Sequence, residues 1–214
     1  MPRVDRALFD QIIVVDGGST DGTIEWSKQQ GYEVYVQKER GLRKAYQEVM
    51  PLVHGDIIIT FSPDGNSVPE ELPSLIAKLK EGYDMVIVSR YLADAKSEDD
   101  SIVTAFGNWF FTTLTNLAFG GHYTDAFVIY RGYRKRLFYD LGFDTDRGFT
   151  LPERLFFTNV SIEPLLSMRA AKRKLKITEI PGDEPARIAG VRKLQIIRWG
   201  LTFLWQTIVE RFSP

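Results

Sequence analysis

The sequence contains no cysteine. That absence excludes a disulfide framework, a thiolate nucleophile and any cysteine-ligated metal, and it fits a reducing, cytoplasmic setting. Histidine is scarce: His54 and His122 have no partners at metal-ligand spacing and read as structural or exposed. No long apolar run is present either. The nearest, residues 194–212 (LQIIRWGLTFLWQTIVERF), is interrupted by Arg198, Gln206, Glu210 and Arg211, where a membrane span needs roughly 18 apolar residues in succession. It reads instead as an amphipathic helix that lies on the protein or peripherally on a bilayer surface. The first ten residues lack the apolar stretch of a secretory signal. Charge of one sign is not in excess: a net charge of -1 gives no global bias toward nucleic acid.

What is present suits one α/β domain. Of 214 residues, 44% are hydrophobic and 13% aromatic, enough for a buried core. Short β-branched runs at 11–15 (QIIVV), 33–36, 56–61 (DIIITF) and 84–89 (DMVIVS) alternate with helical patterns at 21–30, 42–53 and 69–81. This β-α-β-α-β rhythm predicts a mostly parallel sheet flanked by helices, and ligands of such sheets sit beyond the carboxyl ends of the strands. Beyond Arg90 the pattern changes. Residues 92–101 (LADAKSEDDS) read as a charged, mobile loop. Residues 104–119 read as an apolar helix whose Trp109, Phe110, Phe111 and Phe119 pack against the sheet. Residues 123–133 read as strand and turn, 163–174 as a helix, and 176–180 as a strand entering a loop at 181–190. The expected division is a catalytic domain over 1–192 and a helix over 193–214.

Two loops at strand ends carry candidate chemistry. In Ser62-Pro63-Asp64-Gly65-Asn66 an acid and an amide two residues apart can direct oxygens at one hard cation, Mg2+ or Mn2+; the same residues also make an ordinary turn. In residues 16–23 (DGGSTDGT) the glycines permit close backbone approach to a ligand, and Asp16 and Asp21 can accept from a ribose or base. A loop with a helix cap accounts for this segment equally well.

Taken in order, VVDGGSTDGT, GDIIITFSPDGNSVPEELP, VIVSRY and TDAFVIYR resemble the family-two glycosyltransferases of GT-A fold, most of all those that load polyprenyl phosphates, such as dolichyl-phosphate mannose synthases. The resemblance covers nearly the whole chain. It implies that Val15, Asp16, Gly17, Asp21, Ser62, Pro63, Asp64, Arg90, Arg187 and Lys193 bind a GDP- or UDP-linked sugar. It also implies that Asp64, Arg90 and Arg131 act in catalysis and that Asp64 and Asn66 hold the metal. Three positions depart from the family pattern. Gly17 replaces a usual Asp, Ser62 replaces the first Asp of the metal segment, and Arg192 replaces a usual Ser in the basic loop that closes over donor and acceptor.

The choice of acceptor turns on whether a general base is present. A sugar hydroxyl needs a carboxylate within hydrogen-bond reach, whereas a phosphate monoester, with a second pKa of about 6, is already a dianion. Glu153 and Glu163 are the acids in the acceptor region, and neither belongs to the acidic pair of polysaccharide-extending relatives. A polyprenyl phosphate acceptor is therefore expected; a glycan hydroxyl served by Glu153, or a non-catalytic nucleotide-binding domain, are the alternatives. Family members also begin with a strand and helix ahead of the one matched by residues 11–15. Without them the resemblance implies an N-terminally truncated sheet with a gap between strands.

Overall fold

The computed structural model describes residues 3–188 and 195–213. Strand β1 (Ile13–Asp16), helix α1 (Thr23–Gln29) and strand β2 (Glu33–Val36) form a first β-α-β unit, with β1 and β2 parallel. Helix α2 (Leu42–Val49) returns through a 3-10 turn to β3 (Ile57–Thr60). Helix α3 (Leu72–Lys80) follows a turn at Pro69–Glu71 and buries Leu72, Leu75 and Leu79, the i, i+3, i+7 face of a helix lying on a sheet. Strand β4 (Met85–Ser89) is buried at every position, as expected of an unbroken apolar run with layers on both faces.

The second half is helical with two further strands. Helix α4 (Ile102–Phe119) opens with a capping box, Ser101 and Thr104 exchanging side-chain and backbone bonds. After it come β5 (Arg131–Arg134), α5 (Arg136–Asp140), α6 (Thr150–Phe156), α7 (Glu163–Lys172), β6 (Ile177–Pro181) and α8 (Ile196–Phe212). Helix α8 packs on α4, α6 and α7. The expected domain boundary at 193 falls outside the described residues.

The sheet has the expected gap between strands and one strand whose direction the rhythm did not predict. It is in two pieces, β1-β2 and β3-β5-β4-β6, with no ladder joining β1 to β3 among the described residues. At the start of β1 the Gln11 side chain spans the break, donating to the Leu52 carbonyl at 3.1 Å and accepting from the His54 amide at 3.0 Å. Strand β5 runs antiparallel to both β3 and β4, while β4 and β6 are parallel. Strand direction is not encoded in hydrophobic alternation, so a rhythm that predicts parallel order misses an inverted strand. Two local expectations are also corrected. Residues 92–101 are held in place by a bridge from Ser97 to Glu184 and by backbone bonds to that segment. Trp109 and Phe110 face outward, whereas Phe111 and Phe119 pack on the core as expected.

Since β3, β4 and β6 share a direction, Thr60, Ser89 and Pro181 end at the same edge, and the Asp64 loop, Arg90 and the 182–188 segment leave from it. The fold thereby gathers residues far apart in sequence.

Candidate active site at the strand ends

Asp16 closes β1 and is almost fully buried. Its Oδ1 accepts from the amides of Gly18 at 2.8 Å and Ser19 at 2.6 Å, fixing the turn. Burial opposes its charge, but the Ser19 and Gly18 hydrogen bonds prevail and hold its pKa below the ordinary value. Asp21 caps α1 from outside by accepting from the Thr23 amide and hydroxyl. Val15 lies within β1 and Gly17 within the turn. Among the described residues, no hydrogen bond or ion pair links this loop to the Asp64 loop.

The second loop is more tightly built. Asp64 Oδ1 accepts from the Ser62 hydroxyl at 2.8 Å, so the serine in place of a family Asp orients the remaining carboxylate. Pro63 lies between them in the turn. Asp64 Oδ2 faces Arg187 Nη1 at 3.9 Å. The amide of Ile188 donates to the Asp64 carbonyl at 3.0 Å, and the Ile188 side chain covers Gly65. A Cβ at residue 65 would come within 2.6 Å of that side chain, and the φ of +97° also favours glycine. Asn66 Nδ2 donates to Glu184 at 3.4 Å.

Arg90, directly after β4, makes a bidentate pair with the fully buried Asp125, through Nε at 2.6 Å and Nη2 at 3.1 Å. Its Nη1 donates to Glu184 at 3.0 Å and lies 3.8 Å from Asp100. Burial works against the guanidinium charge, but Asp125 and Glu184 raise its pKa well above the usual value. Behind them, Glu179 accepts from the Thr124 amide and hydroxyl and from the Asp125 amide. Burial pushes the Glu179 carboxyl up, partly offset by those bonds. Arg187 makes its own bidentate pair with Asp99, at 3.1 and 2.8 Å, which raises its pKa.

The structure thus brings Ser62, Asp64, Asn66, Arg90 and Arg187 together. Asp99, Asp125, Glu179 and Glu184, which hold them, were not anticipated from sequence; the Thr124-Asp125 pair was the available signal. Arg131, expected to act in catalysis, stands apart from this group. It is fully buried, and its guanidinium donates to the carbonyls of Ala126 and Val128 and to the Ser167 hydroxyl, so it braces the chain before β5. Lys193 lies outside the described residues.

The charge balance bears on the metal. Asp64, Asp99, Asp100, Asp125 and Glu184 surround two guanidinium groups, Arg90 and Arg187. A bound diphosphate would add negative charge to a group in which, among the described residues, acids outnumber cations. Among the described residues no three His, Asp or Glu side chains form a metal cluster. The donor set fits Mg2+ or Mn2+ held by one carboxylate and completed by phosphate oxygens, a normal arrangement for Mg2+.

Strand-end loops bearing a carboxylate and clustered arginines, on a sheet flanked by helices, make up an arrangement shared with proteins of GT-A fold. The chain belongs to glycosyl transferase family 2, whose profile matches residues 5–142. It is 29% identical over 174 residues to the glycosyltransferase AglJ of Haloferax volcanii, covering 81% of this chain and 53% of that protein. It is 25% identical to an undecaprenyl-phosphate mannosyltransferase of Micrococcus luteus, over 98% of this chain and 90% of that one. The chain spans about half the length of the AglJ relative. In structure it superposes on glucosyl-3-phosphoglycerate synthase of Mycobacterium tuberculosis in complex with Mn2+ and UDP-glucose, with a TM-score of 0.59, 19% identity, and coverage of 94% of this chain and 68% of that one. That likeness establishes the shared fold. Among the described residues, no helix is long and apolar enough to cross a membrane.

Proposed function

We propose that the chain transfers a hexose from a GDP- or UDP-linked donor to a polyprenyl phosphate, with inversion, at the cytoplasmic face of a membrane. The names of the Micrococcus luteus relative and of a dolichol-phosphate mannosyltransferase of Pyrococcus furiosus, 36% identical over 107 residues (45% of this chain and 30% of that protein), support this acceptor class. The observation that carries the reading is the engagement of Glu153. Its carboxylate accepts from Arg43 Nη2 at 2.5 Å and from the Val160 amide at 3.0 Å, and its side chain is 10% exposed. A carboxylate held in this way is an anchor between α2 and α6 and a poor general base. A phosphate acceptor needs no base.

In this reading the donor lies across the strand ends, its base and ribose toward Asp16 and Asp21 and its diphosphate toward Arg90 and Arg187. Asp64 and Asn66 would hold a divalent metal, whose bound charge offsets that of the departing diphosphate. Ser62 keeps the Asp64 carboxylate oriented, while Asp125 and Glu184 fix the Arg90 fork. Arg187 exchanges Asp99 for a phosphate oxygen. An acceptor phosphate oxygen attacks the anomeric carbon from the face opposite the leaving group, and the carbon–oxygen electron pair departs with the nucleoside diphosphate.

Radiolabel transfer from a panel of nucleotide-sugars into lipid extract tests the proposal, and transfer to a soluble glycan alone would refute the lipid acceptor. Calorimetry with UDP, GDP and their sugars, with and without Mn2+, separates an enzyme from a binding-only domain. Metal-dependent nucleotide binding should weaken on the order of 100-fold in Asp64→Ala.

A further inference from the structure

Gly17 and Gln37 are the first residues past the parallel strands β1 and β2. The ladder pairs Asp16 with Val36, and the Gln37 amide then donates to the Asp16 carbonyl at 2.8 Å, so residues 17 and 37 stand side by side. This is the carboxyl end of both strands, where ligands of such sheets bind. The glycines of the β1 loop answer different needs. Gly18 and Gly22 have φ of +93° and +88°, which favour glycine, whereas Gly17 has no positive φ. What keeps residue 17 bare is its neighbour. A Cβ there would lie 3.3 Å from Gln37 Oε1, tighter than ordinary contact, so that oxygen holds the space a side chain would take.

The Gln37 oxygen is also oriented. Gln37 Nε2 donates to the Glu39 carbonyl at 3.2 Å and to the Gly41 carbonyl at 2.9 Å. Two carbonyls require the NH2 end of the amide, which leaves Oε1 as the end beside Gly17. The segment supplying those carbonyls is itself pinned. The amides of Lys38 and Glu39 each donate to the Glu48 carboxylate at 2.8 Å, and the Tyr35 hydroxyl donates to it at 3.1 Å. The carboxylates of the β1 loop are engaged, Asp16 by the amides of Gly18 and Ser19 and Asp21 by Thr23. Gln37 Oε1 has no hydrogen-bond partner among the described residues, and Gln37 is half-buried rather than enclosed. A preoriented amide oxygen of this kind accepts from an N–H and repels a ring nitrogen that presents a lone pair.

We propose that Gln37 reads the base of the donor, its Oε1 accepting the ring N–H of uracil (N3) or guanine (N1), with Gly17 leaving room for the contact. Adenine and cytosine carry a lone pair at the corresponding ring nitrogen and are disfavoured. The assignment rests on the nucleotide-sugar reading, with the base at the β1 end of the site. Calorimetry on the full chain with Mn2+ tests it, using UDP, GDP, N3-methyl-UDP, N1-methyl-GDP, ADP and CDP. UDP or GDP should bind on the order of 10-fold more tightly than its methylated counterpart, about the worth of one hydrogen bond. Gln37→Ala should bring that ratio to within about threefold, because the acceptor is gone and the methyl group is accommodated. Gly17→Ala keeps Gln37 and both carbonyl anchors but displaces Oε1, and it should lower the same ratio. A purely structural Gln37 would weaken both ligands alike. A ratio unchanged in both variants, or ADP or CDP binding as tightly as UDP and GDP, would overturn the proposal and leave the donor reading standing. Binding of none of these nucleotides would overturn both.

Discussion

Glu153 and Glu179 are two acids whose surroundings decide different questions. Glu153→Gln should leave sugar transfer within about threefold of the parent, because the residue anchors α6 and activates no acceptor. It should lower stability by about 1–3 kcal/mol, the usual loss for a hydrogen bond to a charged partner, read from urea unfolding. If Glu153 were the base for a glycan hydroxyl, turnover would disappear instead. Glu179 makes a prediction about pH. Its folded pKa is raised above the ordinary 4.5, chiefly by burial, so the folded state binds its proton more tightly than the unfolded state. The stabilisation is complete below 4.5 and is lost as pH rises through the folded value. Replacing Glu179 with Gln should flatten the fall in stability across that window, measured by thermal unfolding at a series of pH values. Sequence reading singled out Asp64, Arg90 and Arg187, which the fold brings together, because each stands at a strand end or in a glycine- and proline-bounded loop. The burial of Arg131 was not legible, since the carbonyls of Ala126 and Val128 that receive it are backbone atoms and carry no residue-type signal.

Individual elements were more legible than their arrangement. Strand β2 falls on residues 33–36 as expected, and β1, β3 and β4 lie within a residue or two of their apolar runs. The long helix expected at 42–53 ends as a 3-10 turn at Met50–Leu52, where Pro51 has no amide to donate. The inversion of β5 was not legible, because its partners β3 and β4 are distant in the chain. Gly132 shows how closely that strand is covered. A Cβ there would lie 2.5 Å from Leu79 and 2.6 Å from Leu75, both without exposed surface. Gly132→Ala should therefore cost about 1–3 kcal/mol by overpacking, visible as a lower denaturation midpoint at unchanged slope.

At the scale of the whole molecule, the break between β1 and β3 divides the candidate donor site. Asp16 and Asp21 belong to the two-stranded piece, while Asp64, Arg90 and Arg187 belong to the four-stranded one. The pieces are unequally buried: β4 is buried throughout, whereas β1 is half-buried up to Asp16 and β2 has no buried residue. Amides of β1 and β2 should exchange with deuterium well before those of β4 and β5, and donor binding should slow exchange in the smaller piece most. Equal protection in both pieces would contradict this division.

The inverted strand also sets an order of events during synthesis. Residues 57–60 and 85–87 are neighbours in chain order, yet each takes its hydrogen bonds from residues 131–134. On the ribosome β3 and β4 must wait with unpaired edges until β5 emerges, and β4 waits further for residues 177–181. A nascent chain stalled before residue 131 therefore exposes the apolar run DIIITF with no partner strand, and it is at this stage that chaperone capture would matter most.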